Sequence, residues 1–274
     1  MIEKKYRLKR TKIVATIGPT SCSRKTIKRM IMAGMNVCRI NFSHCSQDQA
    51  QSIISIVRDL NLELDTHVAI MGDLQGPKIR IGLVKKDTYL SKNSILHLHS
   101  GNATSTSEDL YINYNSIISD IKVADKILLD DGKIIIKVLE TSSQKIKCIV
   151  VQGGSLSDNK GLNLPNTKIS LPSLSVKDKR DLDFCIKNNI EWIALSFVRS
   201  VKDVLELSSI LKEANSKSRV ISKIEKPEAI KNLKGLIRFS DAIMVARGDL
   251  GVEIPRQKVP VYQKKIVRLA RRNA

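Results

Sequence analysis

Short apolar runs alternate along most of the chain with longer segments whose apolar residues recur at helical spacing. The runs are apolar at nearly every position, as is typical of strands buried on both faces of a parallel sheet. Six such runs lie at residues 12–17, 36–40, 68–74, 192–197, 220–224 and 242–246. This order predicts an α/β fold in which helices cover a parallel sheet.

The segments between the runs carry signals for helix starts. Ser46 precedes an apolar-periodic stretch, and residues 175–178 and 200–203, both SVKD, resemble capping boxes with Asp in place of Glu. Pro227 suits the first turn of another helix. Residues 257–272 are basic and amphipathic. This pattern is typical of helices that bind a membrane surface or a partner, but it also fits the helix that follows the sixth strand, and we interpret it as that helix.

Residues 81–172 break this alternation. They contain β-rich segments at 94–98, 126–129, 133–139 and 145–151, with turn signals at Asp131-Gly132 and Gly153-Gly154. We therefore predict a small antiparallel domain inserted into the α/β frame. At about 31 residues per unit of a (β/α)₈ barrel, the remaining residues, 1–80 and 173–274, provide about six units.

Composition limits the class of protein. Hydrophobic residues make up 42% of the 274 residues, and the apolar runs are far shorter than the ~20 residues that a membrane span needs. We expect no membrane association. The cysteines are odd in number, widely spaced and form no CxxC pair, which predicts a reduced, cytoplasmic protein: Cys22, Cys38, Cys45, Cys148 and Cys185.

The formal net charge of +20 is unusual. An RNA- or polyanion-binding protein is one interpretation, and it requires a contiguous basic face and salt-sensitive binding. The lysines are instead spread over nearly every segment, and aromatic residues are only 4%. We expect no specific nucleic-acid binding, but a positive field that attracts phosphorylated substrates.

Polar side chains follow the predicted strands. Lys223 and Glu225 are two residues apart at the end of the fifth run and so project to the same side, and Asp249 can join them from the end of the sixth. Two carboxylates and a lysine suit a hydrated divalent ion and a phosphate, although a structural salt bridge also has this composition. Other polar residues at strand ends are Thr16, Arg39, Asn41, Ser43, Asp73 and Ser196.

Several longer blocks resemble one family. They are residues 12–19 (KIVATIGP), 36–44 (NVCRINFSH), 72–80 (GDLQGPKIR), 160–165 (KGLNLP), 222–225 (SKIE) and 244–255 (MVARGDLGVEIP). From about residue 12 to its end, the chain resembles pyruvate kinases. The resemblance implies a TIM-type (β/α)₈ barrel, incomplete here at about six strands, with a small antiparallel β-barrel lid inserted after the third strand. It also implies phosphoryl transfer from phosphoenolpyruvate to ADP, the last step of glycolysis.

The resemblance implies roles for particular residues. Glu225 and Asp249 correspond to ligands of Mg²⁺ or Mn²⁺, and the backbone of Gly248 and Asp249 to the seat of the substrate carboxylate. Lys223 corresponds to the residue that stabilises the transferred phosphoryl group, and Arg39 to a phosphate-binding arginine. Lys223→Met is therefore expected to abolish nearly all turnover and to leave the fold intact. The residues that resemble nucleotide contacts are Asn41, Ser43, His44, Arg80 and Lys160.

Relatives also hold K⁺, through groups that match Asn41, Ser43, Asp73 and the carbonyl of Leu74. They usually carry Glu where this chain has Lys78. Together with Leu74, Gln75 and Ile81, Lys78 resembles the subset that works without K⁺. A lysine ammonium is a tethered monovalent cation that can replace a diffusible one, so we expect activity without K⁺.

Three departures from the family pattern remain. Cys45 and Asn166 stand where relatives usually have Gly, and a strained or altered turn is expected only at Cys45. The sequence ends at Ala274, before the seventh and eighth strands and the C-terminal domain of full-length relatives, which form homotetramers. We interpret the chain as a truncated form with weak or no activity of its own. The alternative to an enzyme is a non-catalytic remnant that acts at most as an interaction protein.

Overall fold

The computed structural model describes residues 11–165, 167 and 169–273, so that Asn166 lies outside the described residues. The first part of the chain alternates strands and helices. Its elements are β1 (Val14–Thr16), α1 (Arg24–Met32), β2 (Val37–Asn41), α2 (Gln47–Leu64) and β3 (Ala69–Asp73).

The middle of the chain is rich in strands. Its elements are β4 (Tyr89–Leu90), β5 (Ile95–Ser100), β6 (Asp109–Ile112), α3 (Ile117–Asp120), β7 (Lys126–Leu129), β8 (Ile134–Thr141), β9 (Ile146–Gln152), β10 (Gly154–Ser155) and β11 (Leu162–Asn163).

The last part returns to alternation. Its elements are α4 (Val176–Lys187), β12 (Trp192–Leu195), α5 (Val201–Glu213), β13 (Arg219–Ile224), α6 (Pro227–Lys231), α7 (Leu233–Phe239), β14 (Ala242–Val245), α8 (Arg247–Glu253), a 3₁₀ turn (Arg256–Lys258) and α9 (Val259–Arg272).

The strands of the first and last parts form one parallel sheet of six strands in the order β1-β2-β3-β12-β13-β14. All six predicted strands are present, each within about two residues of its predicted bounds. The middle section leaves the sheet after β3 and returns before β12, which pairs directly with β3. Within the described ranges, β1 and β14 are the edges of this sheet.

Capping explains where several helices begin. The Ser46 hydroxyl accepts a hydrogen bond from the Gln49 N–H, and the Gln49 side chain accepts one from the Ser46 N–H. The first SVKD segment forms the same reciprocal box at the start of α4, and at the start of α5 the Asp203 side chain accepts a hydrogen bond from the Ser200 N–H. Such boxes satisfy backbone donors that lack partners within the helix. The predicted starts of these helices are therefore confirmed.

The middle section forms a six-stranded sheet in the order β11-β7-β8-β9-β5-β6 and a two-stranded sheet of β4 and β10. Its pairs are antiparallel except β5 with β6, which run parallel. The prediction of an entirely antiparallel section is wrong for β5 and β6. The chain between them returns to the end of the sheet at which β5 begins, so β6 runs in the same direction as β5. The predicted turn at Asp131-Gly132 joins β7 and β8, and both residues have a positive φ.

Two hydrophobic clusters have no buried residue in common. One packs the helices α1, α2, α4 and α5 against the parallel strands, around Ile40, Ile70 and Leu207. The other lies within the middle section, around Leu98 and Ile136. The middle section thus packs around a core of its own. Over the described part of the chain, no helix is both long and apolar enough to cross a membrane.

Candidate functional site

The candidate site lies at the carboxyl ends of the parallel strands. Arg39 is on β2, Asp73 ends β3, Ser196 follows β12, and Lys223 is on β13, directly before the strand's last residue. Since the strands are parallel, these ends meet at one edge of the sheet, where barrel and open α/β enzymes carry their catalytic groups. The structure brings these side chains into direct contact.

Asp73 joins two cationic side chains. Arg39 Nε donates to Asp73 Oδ2 at 2.8 Å, with a second donation from Arg39 Nη2 to the same oxygen. Lys223 Nζ lies 3.0 Å from the other oxygen, Oδ1. Because the Asp73 side chain is only 1% exposed, its charge depends on these partners. Arg39 is held in turn by Thr16, whose Oγ1 accepts from Arg39 Nη1 at 2.7 Å.

Lys223 also contacts Glu225 and Ser196. Its Nζ lies 3.1 Å from Glu225 Oε1 and donates to Ser196 Oγ at 2.7 Å. An ammonium has three donors, and Asp73, Glu225 and Ser196 occupy them. Burial by itself lowers the pKa of Lys223, but the negative charges of Glu225 and Asp73 outweigh it and raise that pKa overall. Lys223 is therefore charged at neutral pH.

Glu225 is poised between its charged and neutral forms. Burial raises its pKa, and the negative charge of Asp249 raises it further, while Lys223 and the Phe197 N–H act in the opposite direction; the result is a pKa of about 7. The Phe197 N–H donates to Glu225 Oε2 at 2.7 Å. A divalent cation shared by Glu225 and Asp249 would remove their repulsion, so the donor set fits such an ion.

Asp249 does not end a strand, as the sequence pattern predicted, but lies in the first turn of α8. The chain turns into this short helix directly after β14, where Leu250 becomes fully buried. Gly248 precedes Asp249 in the same turn and is exposed. The side chain of Asp249 is half-buried, and its negative charge raises the pKa of Glu225.

Phe197 is a site residue that the sequence pattern did not indicate. Its φ is +53°, an uncommon conformation for a bulky residue. This turn directs its N–H to Glu225. Gly76, with φ of +74°, passes so close that an added Cβ would lie 2.9 Å from the Phe197 ring. No residue preference in the sequence could have revealed the strained position, since left-handed turns usually carry Gly or Asn.

Two of the groups assigned by resemblance to a monovalent-cation site end adjacent strands, since Asn41 pairs with Asp73 in register, and the other two, Ser43 and Leu74, follow these strands. Asn41 Oδ1 accepts from the Ser43 N–H at 3.0 Å, and the Leu74 carbonyl accepts from Ser196 Oγ at 2.7 Å. Lys78, the expected substitute for the ion, directs its side chain towards Gly161 at the base of the middle section.

The residues that resemble nucleotide contacts divide into two groups. His44 is exposed in the loop after β2, together with Asn41 and Ser43. Arg80 and Lys160 lie at the base of the middle section: Arg80 Nη1 donates to the Asn159 carbonyl at 2.9 Å, and Lys160 Nζ lies 3.0 Å from Asp130 Oδ1. A main-chain bridge between Arg80 and Gly161 keeps these two segments adjacent.

A second buried ion pair next to the site was not predicted. Lys226 Nζ lies 2.8 Å from Glu253 Oε2, and Asn163 Nδ2 donates to Glu253 Oε1 at 2.8 Å. Two features of the sequence could have indicated it. Lys226 directly follows Glu225, and Glu253 is four residues after Asp249, on the same face of a helix.

No group of three or more His, Cys, Asp or Glu side chains suited to a metal was found in residues 11–165, 167 and 169–273. The resemblance assigns the metal to only two carboxylates, those of Glu225 and Asp249. Such a set suits Mg²⁺, which commonly keeps several waters and takes further oxygens from substrate phosphates.

Comparison with known proteins gives a consistent result. A family model described as pyruvate kinase, barrel domain, matches residues 8–274. Curated pyruvate kinases from Staphylococcus aureus strains MRSA252, USA300 and NCTC 8325 are each 42% identical to the chain over 271 residues. The match covers 95% of this chain and 45% of each relative, so the chain spans about half the length of these curated relatives.

Proposed function

The chain belongs to the pyruvate kinase family, and from this premise we propose that it transfers the phosphoryl group of phosphoenolpyruvate to ADP, giving pyruvate and ATP. The observation that supports this most is the contact of one buried lysine, Lys223, with Asp73 and Glu225 at the strand ends. Phosphoryl transfer requires mainly positioning and charge stabilisation, and these residues supply a fixed cation beside a carboxylate suited to a metal.

Lys223 and Arg39 are the proposed catalytic cations. Asp73 holds both, one on each carboxylate oxygen, and so orients them before substrate binds. Arg39 binds the phosphate, and Lys223 stabilises the charge on the phosphoryl group during transfer. A donor fixed in advance in this way is typically worth ~2.7–4 kcal/mol of transition-state stabilisation.

Glu225 and Asp249 are the proposed ligands of Mg²⁺ or Mn²⁺. When bound, the ion would neutralise negative charge on the phosphate and orient its oxygens. Glu225 must be ionised to bind it, so at neutral pH binding displaces a proton from part of the population. Gly248 and Asp249 offer backbone N–H groups of the first turn of α8 to the substrate carboxylate. Nucleotide contacts are proposed for Asn41, Ser43, His44, Arg80 and Lys160.

We propose that the reaction does not need K⁺. Arg39 and Lys223 already neutralise Asp73, and the resemblance assigns the role of the ion to Lys78, where relatives usually carry Glu. The test is to assay the chain in a tetramethylammonium buffer with and without KCl. Equal rates are expected, and strong activation by KCl would contradict the proposal.

The domain boundaries are proposed at residues 80/81 and 172/173. Separate cores support the second boundary, with Leu171 packing against the inserted core and Leu174 belonging to the other, while Ile79 extends the inserted core by two residues before the first boundary. The section 81–172 would act as a lid of small-barrel type, whose closure excludes water from the transferred group.

Five free cysteines among the described residues suit a reducing compartment, so we propose the cytoplasm as the place of action.

The deciding experiment measures ATP formation from phosphoenolpyruvate and ADP in the presence of Mg²⁺. Lys223→Met is expected to remove nearly all activity. Lys187→Met is the matched control, because Lys187 is exposed and pairs with Asp183 on the surface. Activity in Lys223→Met above a tenth of the parent would contradict the catalytic role. If the unaltered chain neither forms ATP nor binds phosphoenolpyruvate with Mg²⁺, the proposed function is wrong for this chain.

A further inference from the structure

A buried ion pair joins the two segments that carry the proposed metal ligands. Lys226 directly follows Glu225 at the end of β13, and Glu253 lies one helical turn after Asp249 in α8. The side chains of Lys226 and Glu253 are 5% and 1% exposed, and their charged atoms are 2.8 Å apart. Lys226 thus lies on the same segment as Glu225, and Glu253 lies on the same helix as Asp249.

Helix α8 depends on such a contact for its position. It has only seven residues, Arg247–Glu253, and includes Gly248 and Gly251, which favour the helix least after proline. A helix this short is not stable through its own hydrogen bonds and needs tertiary packing. Leu250 supplies an apolar anchor, and the Lys226–Glu253 pair supplies a directional one on the face that Glu253 shares with Asp249.

The pair faces protein atoms. Glu253 also accepts from Asn163 Nδ2, and Lys226 Nζ lies 3.5 Å from the Leu164 carbonyl; both partners belong to the inserted section. The cleft beside the pair has a volume of about 30 Å³, which is room for one or two water molecules. The charged groups of both side chains are engaged by protein partners, so the pair acts on the arrangement of the protein.

We infer that Lys226 and Glu253 are positioning residues that hold Asp249 at the correct distance from Glu225 for a shared divalent ion, and that Asn163 couples this arrangement to the inserted section. The inference rests on the proposed function, because it takes Glu225 and Asp249 as the metal ligands. Residues that orient metal ligands typically change metal affinity by about 10–100-fold when they are replaced.

The test is a titration of the chain with Mn²⁺, followed by electron paramagnetic resonance of the free ion, well below the unfolding temperature. The decisive variant is Lys226→Met/Glu253→Gln. It removes one positive and one negative charge, so the net charge is unchanged, and it leaves no unpaired buried charge. Mn²⁺ affinity is expected to fall at least tenfold. Glu253→Gln alone should weaken Mn²⁺ binding at least as much as the double variant does.

Two controls separate positioning from simpler effects. Asp183→Asn removes one exposed negative charge from α4 and tests the effect of net charge. Leu211→Ala removes a buried side chain from the core at α5 and tests general destabilisation. Both should bind Mn²⁺ within about twofold of the unaltered chain, on the usual premise that distant changes act independently.

The outcomes are distinguishable. If the double variant is folded and binds Mn²⁺ within twofold of the unaltered chain, or if Leu211→Ala weakens binding equally, the positioning role is overturned while the proposed metal site stands. If the unaltered chain does not bind Mn²⁺, or if Glu225→Gln does not abolish the binding, the metal site and the inference fail together. Should Glu253→Gln alone not fold, the double variant decides.

Discussion

Replacing Lys223 by methionine should lower the stability of the fold as well as the activity. The sequence predicted that this change leaves the fold intact, but in the structure the ammonium contacts two buried carboxylates, Asp73 and Glu225. Removing one partner of a buried ion pair typically costs about 3–5 kcal/mol, since a buried charge is left without compensation. Asp73 keeps Arg39, and Glu225 keeps the Phe197 N–H, so we expect the lower end, about 3 kcal/mol.

The loss should depend on pH. The pKa of Glu225 is about 7 in the parent, and without the ammonium it rises further. A carboxyl whose folded pKa exceeds its unfolded pKa makes the folded state bind more protons, so stability falls as pH rises between the two values. This fall is steeper and extends to higher pH in the variant. The difference between variant and parent is therefore larger at pH 8 than at pH 5.5, where Glu225 is neutral in both.

Urea unfolding followed by Trp192 fluorescence measures this effect, because Trp192 is the single tryptophan and lies on β12 of the parallel sheet. Lys187→Met serves as the control, with an expected change within about 0.5 kcal/mol for an exposed residue. A loss below about 1 kcal/mol at pH 8, or an equal loss at both pH values, would refute the view that Lys223 compensates two buried carboxylates.

Three further predictions concern other residues. Mn²⁺ affinity should rise with pH through about 7, because the ion binds ionised Glu225; a flat profile between about pH 6 and 8 in a titration of the free ion would contradict this. Cys22, which is exposed, should react quickly with a disulfide reagent in the folded chain. The buried thiols of Cys38, Cys148 and Cys185 should react only after unfolding, since burial raises the pKa of each, to about 12 for Cys38 and Cys148. Reaction of any of these three thiols in the folded chain would show that the packing differs. Gly76→Ala should cost about 1–3 kcal/mol in urea unfolding because of its positive φ and close neighbours, while Gly18→Ala, with nothing within 4 Å of the new Cβ, should be close to neutral, and equal effects would contradict the argument.

Features that depend on neighbours along the chain could be predicted from the sequence. The six parallel strands follow from continuous apolar runs, and the starts of α2, α4 and α5 follow from capping residues. Each signal is contained in a few consecutive residues, because burial on both faces and the capping of free N–H groups are local requirements.

Features without such a signal were missed. Strands β4, β10 and β11 have two residues each, too few to show a period. The sequence of helix α8 resembles a loop because it contains two glycines. The contacts of Leu250 and Glu253, which hold the helix, leave no local signal in the sequence. The parallel direction of β5 and β6 depends on the path of the connecting chain, which alternation of apolar residues does not encode.

The sequence by itself determined which chemical groups stand at the strand ends: a lysine, an arginine and several carboxylates, on strands whose common direction brings them to one edge. Only the tertiary structure decided their partners. It assigned Asp73 to both Arg39 and Lys223, turned Phe197 towards Glu225, and paired Lys226 with Glu253. The reason is that the energy of a charge depends on its burial and on distances of a few ångströms, and these are set by packing between segments far apart in the chain.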